Sequence, residues 1–293
     1  MIKGVYSATC SILHDDCSLN VDATIAHAAS SIKSGLHGVI FFGSTGQGQL
    51  IDLNSKKNLI SKAANHKLRK QFFFGTGCNS LNDTINLIKY GMEYEFKTWL
   101  IMPPAYYSSN TEQGVYNFYK NIIRQIPKVK IILYNFEKLS GYKFSIECIN
   151  DLVKKFPDQI VGVKDSTYNL YEKLNLENFS VFPGSELKLL KGLELGCSGI
   201  ITATCNVTAE ISRKVYDDFH SGKEQSLNQK LCDVRSAFDK YNLISGLHTF
   251  YAQDKEIYKN ILPPLSLLDK IEEKDLINTL KDLNFTNKSS LAA

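Results

Sequence analysis

Eight short β-rich runs, separated by stretches with helical apolar spacing, constrain this chain more than any other feature. They are Val5 to Thr9, Val39 to Phe42, Gln71 to Gly75, Thr98 to Ile101, Ile131 to Tyr134, Ile160 to Lys164, Ser180 to Phe182 and Gly199 to Thr202. Between them the spacing turns helical, for example at Ile25, Ala28, Ala29 and Ile32, at Ile85, Ile88, Lys89 and Met92, and at Val115, Phe118, Tyr119 and Ile122. Such spacing marks helices with one buried face. Strands that alternate with helices pair in parallel, and eight such units in 293 residues close most economically into a (β/α)8 TIM barrel, an α/β fold, with a doubly wound sheet as the rival. Beyond the last strand, Val215, Phe219, Leu227, Leu231, Val234, Phe238 and Tyr241 continue the helical pattern past what the final barrel unit needs. The expected organisation is a catalytic barrel over residues 1–207, with its last helix running to about residue 222. A C-terminal helical extension then covers 223–293, interrupted at Pro263-Pro264 and fraying from Asn284.

Composition narrows the functional classes. With 43% hydrophobic and 22% charged residues the chain is ordinary globular protein. A chain of about 300 residues buries roughly three quarters of its unfolded surface and needs no staples. Cys10, Cys17, Cys78, Cys148, Cys197, Cys205 and Cys232 form no CxxC pair, and their odd number argues against a full disulfide framework, so reduced thiols and a cytoplasmic location are expected. The first residues are too short and polar for a signal peptide, and no stretch approaches the roughly 20 apolar residues of a membrane span. The net charge of +4 comes from 34 basic against 30 acidic residues, interspersed apart from small clusters such as Lys67-Leu68-Arg69-Lys70. No nucleic-acid partner is implied. His14, His37, His66, His220 and His248 stand in no ligand spacing, so no metal is expected.

Chemistry in such barrels is carried at the carboxyl ends of the strands. Lys164 ends the sixth run and is followed by Asp165-Ser166-Thr167, which makes it either a Schiff-base lysine or a solvated lysine opening a loop. The second run ends in Gly43-Ser44-Thr45-Gly46-Gln47-Gly48, a composition that cradles an anion or simply makes a tight turn. It matches neither nucleotide fingerprint, GxGxxG or GxxxxGK[ST]. Tyr134 ends the fifth run, and Tyr106-Tyr107 follows Met102-Pro103-Pro104 after the fourth. Either aromatic feature alone reads as packing.

Together these strand ends resemble the pyruvate-dependent class I aldolases grouped as dihydrodipicolinate synthase and N-acetylneuraminate lyase. The carriers are GSTG at Gly43 to Gly46, the pair Tyr106-Tyr107, YNxxxxSG from Tyr134 through Ser140-Gly141, GVKDS at Gly162 to Ser166, and PGSE at Pro183 to Glu186. The resemblance runs over most of the chain and implies a barrel enzyme, a carbon-carbon lyase, usually a homotetramer built as a dimer of dimers, working on pyruvate plus an aldehyde with no cofactor beyond the imine itself. It implies that Lys164 condenses with the pyruvate C2 carbonyl and that Ser44 and Thr45, with the Gly46 loop, hold the pyruvate carboxylate. Tyr134 then moves protons, and Tyr107 completes a Thr45-Tyr134-Tyr107 relay from the neighbouring subunit. Ser166, Gly184, Ser185, Glu186 and Ala203 fall where the family binds the rest of the substrate.

Departures from the family pattern bear on the second substrate. The arginine with which dihydrodipicolinate synthases grip the aldehyde's carboxylate is Leu139 here, with Lys138 as a relocated cation. The acidic pair and serine of the N-acetylneuraminate lyases are reduced to Glu186 beside Leu187, with Ala203 at the serine position. Gln47-Gly48 replaces the acidic residue after the GSTG loop, similar to the 2-keto-3-deoxygluconate branch. Glu137 and Cys10 replace two prolines usual in the family. The expected substrate is a 4-hydroxy-2-oxo acid, a 2-keto-3-deoxy sugar acid foremost. N-acetylneuraminate lyase or 4-hydroxy-tetrahydrodipicolinate synthase activity, a sugar-acid dehydratase and a non-catalytic binding barrel remain as alternatives.

Overall fold

The computed structural model describes residues 1–107 and 110–286. Its strands are β1 (Gly4–Ala8), β2 (Gly38–Phe41), β3 (Phe72–Gly75), β4 (Thr98–Ile101), β5 (Lys130–Asn135), β6 (Ile160–Asp165), β7 (Ser180–Pro183) and β8 (Gly199–Thr202). They pair in parallel in the order β7-β6-β5-β4-β3-β2-β1-β8. The remaining seam, between β7 and β8, is bridged where Ser198 donates its N–H to the Val181 carbonyl at 2.9 Å. This is the expected barrel, nearly closed.

Alternation along each strand sorts its side chains into two layers. Tyr6, Ile40, Leu100, Ile132, Tyr134, Phe182 and Ile201 cluster with one another and with no helix residue, so they fill the barrel interior. Val39, Phe41, Phe74, Trp99, Leu133 and Val163 point the other way, into the larger cluster shared with the helices. Truncating one of the largest, such as the fully buried Trp99, would cost about 3–5 kcal/mol.

One irregularity aims the later strands. Between β5 and β6 the register runs Ile131 with Ile160 and then Ile132 with Gly162, so Val161 is an extra residue on β6. A bulge of this kind resets which face the following residues present. Val163 joins the outer layer beside Leu133, and Lys164 pairs with the interior Tyr134. Gly162 permits it, because a Cβ there would lie 2.5 Å from the Ser180 carbonyl oxygen.

The barrel helices are α1 (Val21–Lys33), α2 (Leu53–Ala64), α3 (Leu81–Glu93), α4 (Glu112–Gln125), a single turn α5 (Glu137–Ser140), α6 (Ile146–Lys155), α7 (Leu189–Glu194) and α8 (Cys205–His220). Side-chain caps start most of the longer ones, with Asn20, Asp52, Ser80, Thr111 and Ser145 accepting from the first turn of α1, α2, α3, α4 and α6. In α3 the apolar stripe runs through Ile85, Leu87 and Ile88, while Lys89 faces outward to Gln125. The strict alternation of strand and helix fails once. Residues 166–179 join β6 to β7 without an α-helix, and Leu170, Tyr171, Leu174 and Phe179 cover the outer face there instead.

The extension comprises α9 (Asn228–Asp239), α10 (Leu243–Ala252) and α11 (Lys270–Asp282). Its Val234, Phe238, Leu247, Phe250 and Leu276 pack with Cys10, Ile12, Ala203 and Val207 of the barrel. His27 of α1 bridges Tyr258 and Asn206 at 2.8 Å each. Asn206 in turn donates to the Ala8 carbonyl at 2.8 Å and accepts from the Cys10 N–H at 3.2 Å, which ties the end of β1 to both layers. Fraying from Asn284 is not what the structure shows for the first of those residues, since Phe285 is buried and stacks on Phe250. The expectation for 287–293 lies outside the described residues. None of the described helices is long and apolar enough to cross a membrane.

Candidate active site

At the carboxyl ends of β5 and β6, Tyr134 and Lys164 are register partners, so their side chains emerge side by side. Lys164 is only 3% exposed. Its Nζ donates to the Tyr134 phenol oxygen at 3.2 Å and lies 4.2 Å from the ring centroid. That phenol oxygen is also hydrogen-bonded to Ser44 Oγ at 2.8 Å. Amine, phenol and hydroxyl thus form a two-link chain within proton-transfer distance.

Ser44 comes from the turn after β2. Gln47 N–H closes onto the Ser44 carbonyl at 3.0 Å and Gly48 N–H onto the Gly43 carbonyl at 3.1 Å, while Ser11 Oγ holds the Gly46 carbonyl at 2.6 Å. Thr45 is buried beside it. The bond to Tyr134 is made by Ser44 and not by Thr45, the residue that the family resemblance implies for the relay. Neighbouring residues of a tight turn diverge, and here the serine faces the phenol.

The loops after β6 and β7 are built around Asp165. Its Oδ1 accepts from Asn135 Nδ2 at 2.8 Å and from Tyr168 N–H at 2.9 Å, and its Oδ2 from the Leu170 and Tyr171 N–H groups. Ser166 stands against Gly184, where a Cβ would come within 2.2 Å of Ser166 Oγ. Ser185 is buried, and its Oγ caps the turn Glu186–Lys188. Burial raises the pKa of the neighbouring Tyr168 phenol, opposed by the Arg235 charge and a hydrogen bond with Ser185.

Two expected substrate ligands are placed elsewhere. Glu186 is fully buried, and its carboxylate takes Arg235 Nη1 at 3.0 Å, Thr202 Oγ1 at 2.8 Å and Thr208 Oγ1 at 3.2 Å. Both oxygens are engaged in joining the β7 loop to α9, so the residue serves the junction and not a substrate. Ala203 packs into the core shared by barrel and extension. Tyr107 is not joined to the others within the chain either. It is 73% exposed and meets Tyr106 edge-on, and Tyr106 itself has φ +87°, a strained value for a tyrosine.

Ser44 and Tyr134 open into a cavity of about 320 Å³. Its walls include Phe42, Leu50, Leu100, Met102, Leu139 and Ile244, with Gln47, Gln49, Thr76 and Asn242 as polar members. Lys164 meets it only through the Tyr134 phenol. Lys138 is exposed and does not line it. Gln47 was legible in the sequence only as a missing acidic residue.

Other titratable groups have structural partners. Burial pushes the imidazoles of His27 and His248 down to about 4, partly opposed at His27 by the Asn206 hydrogen bond and at His248 by the one to the Tyr258 carbonyl. Lys56, buried under the turn after β3, donates to the Thr76 and Gly77 carbonyls at 3.0 Å each. All seven cysteines are free.

A parallel barrel with a buried lysine at the end of its sixth strand, bonded to a phenol on the fifth, defines the class of (β/α)8 barrels that gather reactive side chains at the carboxyl ends of their strands. Comparison with known proteins narrows the class to a family. A sequence model of the Dihydrodipicolinate synthetase family matches residues 1–283, and the chain belongs to that family. It is 26% identical over 260 residues to a 2-dehydro-3-deoxy-D-gluconate/2-dehydro-3-deoxy-phosphogluconate aldolase of Picrophilus torridus, spanning 85% of this chain and 96% of that protein. It is 28% identical over 240 residues to a 4-hydroxy-tetrahydrodipicolinate synthase of Nitrosomonas eutropha, spanning 79% of this chain and 81% of that one. The fold matches that of YagE, a prophage protein of the dihydrodipicolinic acid synthase family from E. coli K12 solved in complex with pyruvate. That match has a TM-score of 0.87 and 22% identity, covering 97% of this chain and 99% of YagE.

Proposed function

We propose that this chain is a class I, pyruvate-dependent aldolase that makes or cleaves a 4-hydroxy-2-oxo acid, with a 2-keto-3-deoxy sugar acid as its substrate. The observation that carries the reading is the buried Lys164 amine donating to the Tyr134 phenol, itself bonded to Ser44. The free amine attacks C2 of pyruvate, and loss of water leaves an imine. Protonated, the imine withdraws electrons, so a methyl proton leaves and an enamine forms. The enamine carbon adds to the aldehyde carbonyl, the new alkoxide takes a proton, and hydrolysis returns the amine. Cleavage runs the same steps backward. The imine is the electron sink, so on this reading the chemistry needs neither a metal nor a separate cofactor.

Each step needs a proton carried to or from a defined atom, and Tyr134 is the carrier, with Ser44 as its second link. Thr45 and the Gly46 loop hold the pyruvate carboxylate. Ser166, Gly184 and Ser185 line the approach of the remaining substrate carbons. Tyr107 of a second copy completes the relay, in a cytoplasmic homotetramer arranged as a dimer of dimers. The exposed Tyr106-Tyr107 pair supports that role, since two large aromatics presented to solvent suit burial against another copy. Leu139 in place of a cation, and the similarity to the Picrophilus torridus aldolase, favour a sugar acid over lysine biosynthesis.

The test is intact mass after incubation with pyruvate and borohydride, beside a Lys164→Ala variant. A gain of roughly 72 Da for the reduced pyruvate imine, absent from the variant, is expected. No adduct on the wild type would remove the reading.

A further inference from the structure

The cavity beside Ser44 and Tyr134 also bears on the aldehyde half of the substrate. Among the described residues that line it there is no Asp, Glu, Lys or Arg, and Leu50, Leu100, Met102, Leu139 and Ile244 make much of its wall. Lys56 lies behind this wall, but its ammonium is turned to the carbonyls of Thr76 and Gly77. A charged substituent entering here would leave water for a largely apolar surface with no charged side chain lining it to pair with.

Gln47 adds a positive requirement. It lines the same cavity, is 3% exposed and has φ +53°, a left-handed backbone unfavourable for a side chain of this type. Leu262 donates its N–H to Gln47 Oε1 at 2.6 Å. A backbone N–H must face the amide oxygen, so the other end of the amide is the NH₂ group. That Nε2 is buried with no hydrogen-bond partner among the described residues. A buried donor without an acceptor is costly and is retained where something else supplies the acceptor.

Resting on the aldolase reading above, we infer that the aldehyde partner is electrically neutral and carries a hydroxyl or ether oxygen that accepts a hydrogen bond from Gln47 Nε2. Gln47 is then a specificity-determining residue. The apolar wall rejects aldehydes bearing carboxylate, phosphate or ammonium, and the amide selects among the neutral ones.

The experiment measures kcat/KM for pyruvate addition by the full-length protein to D-glyceraldehyde, propanal, succinic semialdehyde and D-glyceraldehyde 3-phosphate. D-glyceraldehyde should exceed both charged aldehydes by at least about 100-fold. Gln47→Glu keeps the oxygen that meets Leu262 and replaces the donor with an acceptor. It should lower the ratio of D-glyceraldehyde to propanal at least about tenfold. Leu139→Arg, which leaves Gln47 intact, should raise use of succinic semialdehyde at least about tenfold relative to D-glyceraldehyde. Charged aldehydes at parity with neutral ones, or an unchanged ratio in a folded Gln47→Glu protein, would overturn the inference. Should Gln47→Glu fail to fold, the wild-type panel and Leu139→Arg decide. Borohydride trapping of pyruvate on Lys164 separates the two levels: trapping with the wrong aldehyde preference sinks this inference alone, and no trapping sinks both.

Discussion

Replacing Arg235 with leucine probes how firmly the barrel and its helical extension are locked together. In the native protein the guanidinium, 6% exposed, faces a Glu186 carboxylate that is 0% exposed, at 3.0 Å. The same side chain reaches Asp239 at 2.9 Å, and Nη1 also donates to Thr202 and Thr204. Without it, Glu186 keeps the hydroxyls of Thr202 and Thr208 and the Cys205 thiol, all neutral groups, for a full negative charge in the protein interior. Stranding one partner of a buried pair costs about 3–5 kcal/mol. Asp239 adds little, being 35% exposed and able to rehydrate. For a domain of this size the loss corresponds to a melting temperature lower by roughly 5 to 15 °C. Glu186→Gln combined with Arg235→Leu removes both charges and should recover more than half of the deficit. Urea unfolding of the wild type, both single variants and the double variant gives the coupling energy directly, expected at about 2 kcal/mol or more. A coupling below about 0.5 kcal/mol would show that the two charges do not depend on each other and would refute the argument.

Three further outcomes follow from the geometry. Tyr134→Phe keeps the ring over Lys164 and removes the phenol, so aldol turnover should fall about 100- to 10,000-fold while prolonged borohydride trapping still labels Lys164; turnover within threefold of wild type would exclude proton transfer through this residue. Stability should decline as pH drops from about 6.5 toward 4, because unfolded imidazoles take up protons near 6.5 that buried His27 and His248, held down to about 4, do not. The contribution is fully present above that window, and at pH 5 the two residues together should remove about 4 kcal/mol. His248→Asn, which retains a donor for the Tyr258 carbonyl, should halve the slope seen by urea unfolding at pH 7 and pH 5, and an unaltered slope would contradict the assignment. Gly184→Ala would drive a methyl group to 2.2 Å from Ser166 Oγ, so kcat/KM should fall at least about tenfold, with partial recovery in Gly184→Ala/Ser166→Gly; equal rates in all three proteins would mean the contact is inert.

The strands were legible because parallel strands buried on both faces read as short continuous apolar runs, and all eight lie within a residue or two of where the sequence puts them. What the sequence could not show was direction and distance. Ser44 and Thr45 are adjacent hydroxyls, and only the path of the turn decides which one meets Tyr134. Glu186 follows a Pro-Gly-Ser turn and reads as a substrate ligand, yet its partner Arg235 is 49 residues away with no local pattern to mark it. The bulge at Val161 depends on the neighbouring strand's register, which no single segment carries. The helix missing between β6 and β7 was hidden because Leu170, Tyr171 and Leu174 have helical spacing without forming a helix.

That connection has a consequence for how the chain tolerates change in length. A crossover between parallel strands needs about a dozen residues simply to span the distance. Residues 166–179 meet that minimum with almost nothing to spare, and four of them are already committed to covering the strands. Deletions there would tear the barrel wall beside Lys164, whereas inserted residues have free room to bulge outward. Length variation at this point is therefore one-directional: the segment is a ratchet that can be lengthened and cannot be shortened.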